Sequence, residues 1–228
     1  MIKRYMAEFV GTFVIVFAPV AVSAIGHVSG VDQGLLVAAI ASGLPVLAMI
    51  AALGPISAAH FNPAVTLGFA LAKRFPWRYV APYWLAQMAG GVVAAAVVAL
   101  LYGGGSGVHI PADTHLVLRN VGTEVAITFI LMLVIIATAT DKRMNPIAPP
   151  LAIGLTVIFG VLIGGPITGG SMNPARSFGP ALFGNPEALG AYWVYIVGPM
   201  LGASIAALAF EAMRSSPENA CSAPGDLV

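Results

Sequence analysis

Two stretches of the chain, "GPISAAHFNPAV" at 54–65 and "GPITGGSMNPAR" at 165–176, align without a gap: Gly54 matches Gly165, Pro55 matches Pro166 and Asn62 matches Asn173. Asparagine is a preferred helix N-cap and proline is favoured at the first helical position, so Asn62-Pro63 and Asn173-Pro174 each predict a helix start. The first helix, "PAVTLGFALA" at 63–72, runs into Lys73-Arg74 after about ten residues, or about 15 Å. That is half a bilayer. The second, "PARSFGPALFG" at 174–184, has the same size and stops at the turn signal Asn185-Pro186. The lead-ins "SAAHF" and "TGGSM" would carry unpaired backbone groups at membrane depth, where such backbone is tolerated only inside protein or beside water.

Composition puts the repeated phrase in a membrane. The chain is 59% hydrophobic and 8% charged with a mean hydropathy of +0.93, whereas soluble domains carry about 25% charged residues. Such a chain cannot cover a water-facing surface. Apolar stretches at 9–25, 34–53, 81–101, 125–139, 149–163 and 191–210 are near the length that crosses a bilayer, and they predict six spanning helices. A cleaved secretory signal at the start fits poorly, because the apolar run is long and Glu8 interrupts its beginning. With the N-terminus in the cytoplasm, Lys73, Arg74, Arg78, Lys142, Arg143 and Arg214 fall on the inner side and Arg119 falls outside, in keeping with the positive-inside rule. The polar tail at 213–228 is expected to be disordered and cytoplasmic. Its Cys221 is the single cysteine, which excludes a disulfide within the chain and argues against a metal-thiolate site.

The repetition extends beyond the phrase. "AEFVGTF" at 7–13 and "TEVAITF" at 123–129 align Glu8 with Glu124, and each is followed by one of the phrases. Three spans per half is an odd number, so the second half starts on the opposite face and the repeat is inverted, with its site near the midplane. The expected fold is therefore an all-α membrane protein: six transmembrane helices plus two re-entrant half-helices in an inverted 3+3 repeat. One channel domain would cover 1–228, with repeats at about 7–102 and 121–212.

Two half-helix N-termini meeting at the midplane each contribute roughly half a positive charge, which makes the centre hostile to cations. The side-chain amides of Asn62 and Asn173 can donate hydrogen bonds to a passing oxygen. A water so held points its own donors away, which interrupts proton hopping. Arg176, two residues after Pro174, would cost several kcal/mol in lipid unless paired or wet, so it marks function.

Paired "NPA" motifs, Asn62-Pro63-Ala64 and Asn173-Pro174-Ala175, together with "HFNPAV", "NPARS" and a glutamate early in spans one and four, resemble the aquaporin (major intrinsic protein) superfamily. The resemblance covers about 7–210. It implies a homotetramer in the lipid bilayer with one pore per subunit. It further implies that the carbonyls of Ala58, Ala59, His60 and Phe61, and of Gly169, Gly170, Ser171 and Met172, form an acceptor rail. Glu8 and Glu124 are implied to support the irregular loops, and Arg176 to be the filter arginine. Counting twenty residues before Asn62, and twelve and three before Asn173, puts the other filter positions on Ser42, Val161 and Gly170.

Orthodox water channels resemble an aromatic ring, a histidine, a small residue and arginine at these four positions. Ser42 and Val161 remove both rings. Glycerol facilitators typically carry aspartate after the second motif, where this chain has Ser177. Small residues at the first and third positions with an aliphatic second are similar to the metalloid-permeable plant nodulin-like intrinsic proteins and their bacterial relatives. A passive channel for water and small neutral solutes, polyols or boric, silicic or arsenous acid, is expected; the alternative is an orthodox water-selective aquaporin. A proton-coupled transporter is the reading from another class, since inverted repeats and buried glutamates also describe transporters. No catalytic residue, cofactor, metal or nucleic-acid partner is expected.

His27, His109 and His115 lie at or between span ends and read as solvated loop residues. The glycine-rich loop at 103–116 reads as flexible, and the "GPMLG" segment at 198–202 offers small residues four apart for close helix contact. The lack of a targeting segment and the compact loops point to a bacterial inner membrane with both termini cytoplasmic.

Overall fold

The computed structural model describes residues 1–140 and 145–214; Lys142, Arg143 and residues 215–228 with Cys221 lie outside the described residues, whereas Met213, expected in the disordered tail, ends the last helix. The helices in chain order are α1 (Ile2–Ser29), α2 (Gly34–Ser57), α3 (Pro63–Leu71), α4 (Val80–Tyr102), α5 (Val117–Ala139), α6 (Ala148–Thr168), α7 (Pro174–Phe183), α8 (Pro186–Ala191) and α9 (Val194–Met213). No strand occurs among the described residues. Six segments are long and apolar enough to cross a bilayer, and they contain α1, α2, α4, α5, α6 and α9.

The two short helices begin where the motifs predict. Asn62 and Asn173 are extended N-caps whose side chains accept hydrogen bonds from the Ala64 and Ala175 amides, with proline at the first turn of each helix. α3 ends at Leu71, the chain turns away at Lys73, whose φ of 58° is left-handed, and Arg74 donates through Nε to Glu211 of α9 at 2.6 Å. Beyond α7, Asn185 caps α8 through its side chain, so the turn signal there opens one short helix rather than a bare turn.

α2 and α6 continue past the ends of their apolar runs, because Gly54-Pro55 and Gly165-Pro166 lie inside the helices. A proline deletes one N–H from the ladder, and in a membrane helix its neighbours can absorb that loss. Both helices end on left-handed residues, Ala58 and Gly169, whose amides reach back to the Gly54 and Gly165 carbonyls at 2.9 and 3.0 Å.

Within each half, the first span packs on the third: α1 on α4, and α5 on α9. The halves meet where α2 crosses α6, with Gly43 and Gly154 facing one another's carbonyls so closely that a side chain at Gly43 would run into the Gly154 oxygen. The short helices are exchanged, α3 packing on α9 and α7 on α4. Gly198 and Gly202 of the "GPMLG" segment face Glu124 and the Val125 carbonyl of α5, so that spacing serves contact inside the subunit. Leu85, Leu100, Leu118 and Leu151 point outward, as lipid-facing helices require.

The loop at 103–116 is not a loose tether. The Gly105 amide donates to the Phe183 carbonyl at 3.0 Å, the Gly107 amide to Ser23 Oγ at 3.1 Å and the Ala112 amide to the Ile167 carbonyl at 2.9 Å. His27 Nδ1 adds a contact with Ser106 Oγ at 3.1 Å. Glycine content measures the freedom of an isolated chain, whereas here three separate elements supply fixed partners.

Candidate functional site

The segments between α2 and α3 and between α6 and α7 are irregular and tightly held. Ala58, Ala59, Phe61 and Met172 have positive φ, as do Gly169 and Gly170. A non-glycine residue in that region costs about 1–3 kcal/mol and needs support from its surroundings. Two buried carboxylates give it. Glu8 Oε1 accepts from Ser57 Oγ and the His60 amide at 2.7 and 3.0 Å, and its Oε2 accepts from the Phe61 amide and Gln87 Nε2 at 2.7 and 2.8 Å. Glu124 accepts from Thr168 Oγ1, the Ser171 amide and the Met172 amide at 2.7 to 2.9 Å.

Several supporting residues have no counterpart in the motif reading. Tyr83 and Tyr195 donate their hydroxyls to the last carbonyls of α2 and α6, those of Ser57 and Thr168, at 2.9 and 2.7 Å. Trp84 Nε1 and the Tyr192 hydroxyl donate to the carbonyls of Pro63 and Pro174. Gln87 was the visible clue, being a lone amide in an otherwise apolar span.

The two short helices meet end to end. Asn62 Nδ2 donates to the Met172 carbonyl at 2.8 Å, and Asn173 Nδ2 donates to the Phe61 carbonyl at 2.9 Å. Each amide carries a second N–H beyond the one used in this reciprocal pair. Both asparagines line a cavity shared with Ser42, Arg176, Phe69 and Ile153. Its roughly 70 Å³ is room for a few water molecules. Ala58, Ala59, His60, Phe61, Ser171 and Met172 also line it, whereas Val161, Gly169 and Gly170 do not.

Arg176 is 7% exposed. Nη1 donates to the carbonyls of Gly170 and Ser171 at 2.8 and 3.0 Å, and Nη2 donates to Ser42 Oγ at 2.6 Å. The Ser42 hydroxyl in turn donates to the Ala38 carbonyl at 2.7 Å. Arg176 Nε is buried without a partner, and among the described residues no carboxylate forms an ion pair with this guanidinium. The counted positions thus converge: Ser42, Gly170 and Arg176 are directly bonded, and Gly170 lies so close to Val161 that a Cβ on the glycine would sit 2.9 Å from the valine Cα.

One histidine departs from the solvated-loop expectation. His109 is 8% exposed, with Nδ1 3.2 Å from Ser177 Oγ and its ring 5.6 Å from that of Tyr195. Burial, and secondarily the Arg176 charge, hold its imidazole well below the ordinary range, so it is neutral at pH 7. The cause is the anchored loop, which carries the ring inward. His27 and His115 remain at the surface.

The chain matches the family profile described as "Major intrinsic protein" over residues 1–210. It is 43% identical over 219 residues to "Aquaporin NIP1-1" of Oryza sativa subsp. japonica, covering 93% of this chain and 75% of that protein. It is 39% identical to "Aquaporin NIP3-1" of Arabidopsis thaliana, covering 96% of this chain and 69% of that one. Among solved structures, the aquaglyceroporin from Plasmodium falciparum superposes with a TM-score of 0.83 at 22% identity, covering 93% of this chain and 96% of that chain, a likeness of fold. Asparagine-capped half-helices joined at a buried junction, a profile match over residues 1–210 and relatives 39–43% identical together assign the chain to the major intrinsic protein family of membrane channels.

Proposed function

We propose that the chain is a passive channel for water and small neutral hydroxylated solutes, polyols or metalloid hydroxides among them, that excludes ions and protons. The observation that carries the solute class is the Ser42–Arg176 bond: the wall facing the guanidinium is a small hydroxyl where a ring would narrow the passage. In this reading Ser42, Val161, Gly170 and Arg176 form the filter. The Arg176 charge repels cations, and the guanidinium, held to Ser42 and to the Gly170 and Ser171 carbonyls beside the cavity, sets the polar wall that a solute hydroxyl meets. Deeper in, the second N–H of Asn62 and of Asn173 orients each passing oxygen at the junction, and the half-helix dipoles add to the barrier against charge. Glu8 and Glu124 serve as acceptors for loop backbone rather than as proton carriers.

The names of the relatives above support a water pathway for this chain. In the same reading the chain forms one channel unit with repeats at about 7–102 and 121–212, assembles as a homotetramer, and inserts into a cell or inner membrane with both termini in the cytoplasm. The Lys73, Arg74 and Arg78 cluster at one face supports the orientation.

Stopped-flow measurements on proteoliposomes with water, glycerol, urea, boric acid and arsenous acid test the solute class. Uptake of glycerol, boric acid or arsenous acid above that of protein-free vesicles, linear in gradient and indifferent to an imposed pH difference, is the expected result. Water flux alone would leave an orthodox water channel, and solute uptake driven by the pH difference would leave a transporter. Ser42→Trp is expected to lower glycerol flux by more than about tenfold while water still passes, because an indole would occupy the cavity opposite Arg176. Equal glycerol flux in the variant would remove Ser42 from the filter.

A further inference from the structure

The inverted repeat is imperfect at one buried position, and the imperfection assigns a role to His109. Four residues after each N-cap asparagine stands a hydroxyl, Thr66 in the first half and Ser177 in the second. In the first half the Thr66 hydroxyl lies 3.0 Å from the Asn62 carbonyl, to which it can only donate. Its oxygen therefore accepts from His60 Nδ1 at 3.1 Å, and His60 carries its proton there. His60 stands two residues before its asparagine. The matching position in the second half is Ser171, so that half lacks an imidazole of its own.

The external loop fills the place. The Ser171 hydroxyl lies 3.0 Å from the Asn173 carbonyl and must donate to it. Its short contact with Ser177 Oγ is then a donation from Ser177, and the Ser177 oxygen is left to accept from His109 Nδ1–H at 3.2 Å. One directed chain therefore runs from His109 through Ser177 and Ser171 to the Asn173 carbonyl. It is the counterpart of His60 to Thr66 to Asn62. His109 also backs the loop that holds the guanidinium: a Cβ on Gly169 would sit 2.8 Å from His109 Cδ2, and the next two carbonyls, of Gly170 and Ser171, receive Arg176 Nη1.

We propose that His109 is a positioning residue of the filter, supplied by the 103–116 loop in place of the histidine that the second repeat lacks, and that it fixes Arg176 through Ser177, Ser171 and the loop backbone. This rests on the reading of Ser42, Val161, Gly170 and Arg176 as the filter. It makes the loop part of the selectivity apparatus rather than a cover on it.

The test compares glycerol and water permeability in proteoliposomes of the full-length protein, with thermal unfolding measured in parallel. His109→Ala is expected to change the glycerol-to-water ratio about threefold to tenfold, equivalent to roughly 0.7–1.4 kcal/mol, the worth of one neutral hydrogen bond. His109→Asn, whose amide N–H can stand where Nδ1–H stands, is expected to restore the ratio. Ser177→Ala is expected to reproduce the alanine effect, and the double variant to add nothing to either single change. A lowered unfolding temperature with an unchanged ratio would reduce His109 to a structural strap and overturn the proposal. So would failure of the asparagine variant to restore the ratio, or additive effects in the double variant. Wild-type vesicles that pass neither water nor solute would defeat the channel reading instead, and that outcome is separable because it needs no variant.

Discussion

Glu8→Leu is expected to yield no monodisperse protein on size-exclusion chromatography in detergent, and Glu124→Leu the same. The side chain of Glu8 satisfies two backbone amides, one hydroxyl and one side-chain amide, all buried between α1, α4 and the segment leading to α3. Leucine fills a similar volume and accepts nothing. Each orphaned donor costs about 1–3 kcal/mol, and the left-handed residues Ala58, Ala59 and Phe61 would lose the anchor that sustains them. Glu8→Gln separates support from proton coupling. Glutamine retains one acceptor but turns an N–H toward donors that the carboxylate received, so partial loss of stability with no altered response to an imposed pH difference is the expected result. A glutamine variant that folds like wild type yet loses pH-driven uptake would instead make the carboxylate a proton carrier.

Arg176→Val is expected to keep water flux and admit cations. The guanidinium is 7% exposed, beside the cavity, and makes no direct ion pair among the described residues. A unit charge about 5 Å from a passing cation, at an effective dielectric constant of about 20, opposes it by about 3 kcal/mol. Removing that charge should raise cation leak by on the order of 100-fold in a fluorescent ion-flux assay. The half-helix N-termini remain and keep the leak below that of an open pore. The three donated hydrogen bonds to Gly170, Ser171 and Ser42 also disappear, so glycerol discrimination should fall in the same variant. Cation flux equal to that of wild type would show that the barrier resides wholly at the asparagines.

How far the sequence could be read depended on whether a signal was local. The N-caps and proline starts of α3 and α7 were legible because capping chemistry is written within two residues. The ends of α2 and α6 were not, since Gly-Pro ordinarily marks a stop and here lies inside both helices. Filter counting brought Ser42, Gly170 and Arg176 to one point but gave no sign that the serine would bond the arginine. Tyr83 and Tyr195 escaped because a tyrosine in an apolar span looks alike whether its hydroxyl meets a carbonyl or a lipid headgroup. His109 escaped for a different reason: its burial depends on partners in α1, α6 and α7, none of them near it in the chain.

The exchange of short helices between halves orders the events of biogenesis. α3 rests on α9, which emerges from the ribosome more than a hundred residues later, while Asn62 waits for the Met172 carbonyl. During synthesis the first half therefore holds an unsealed notch facing its own future partner, and the conduction path comes into being only when the last span docks. A nascent chain truncated before that span should remain open to protease at the Ala58–Asn62 segment, and a separately supplied second half should close it.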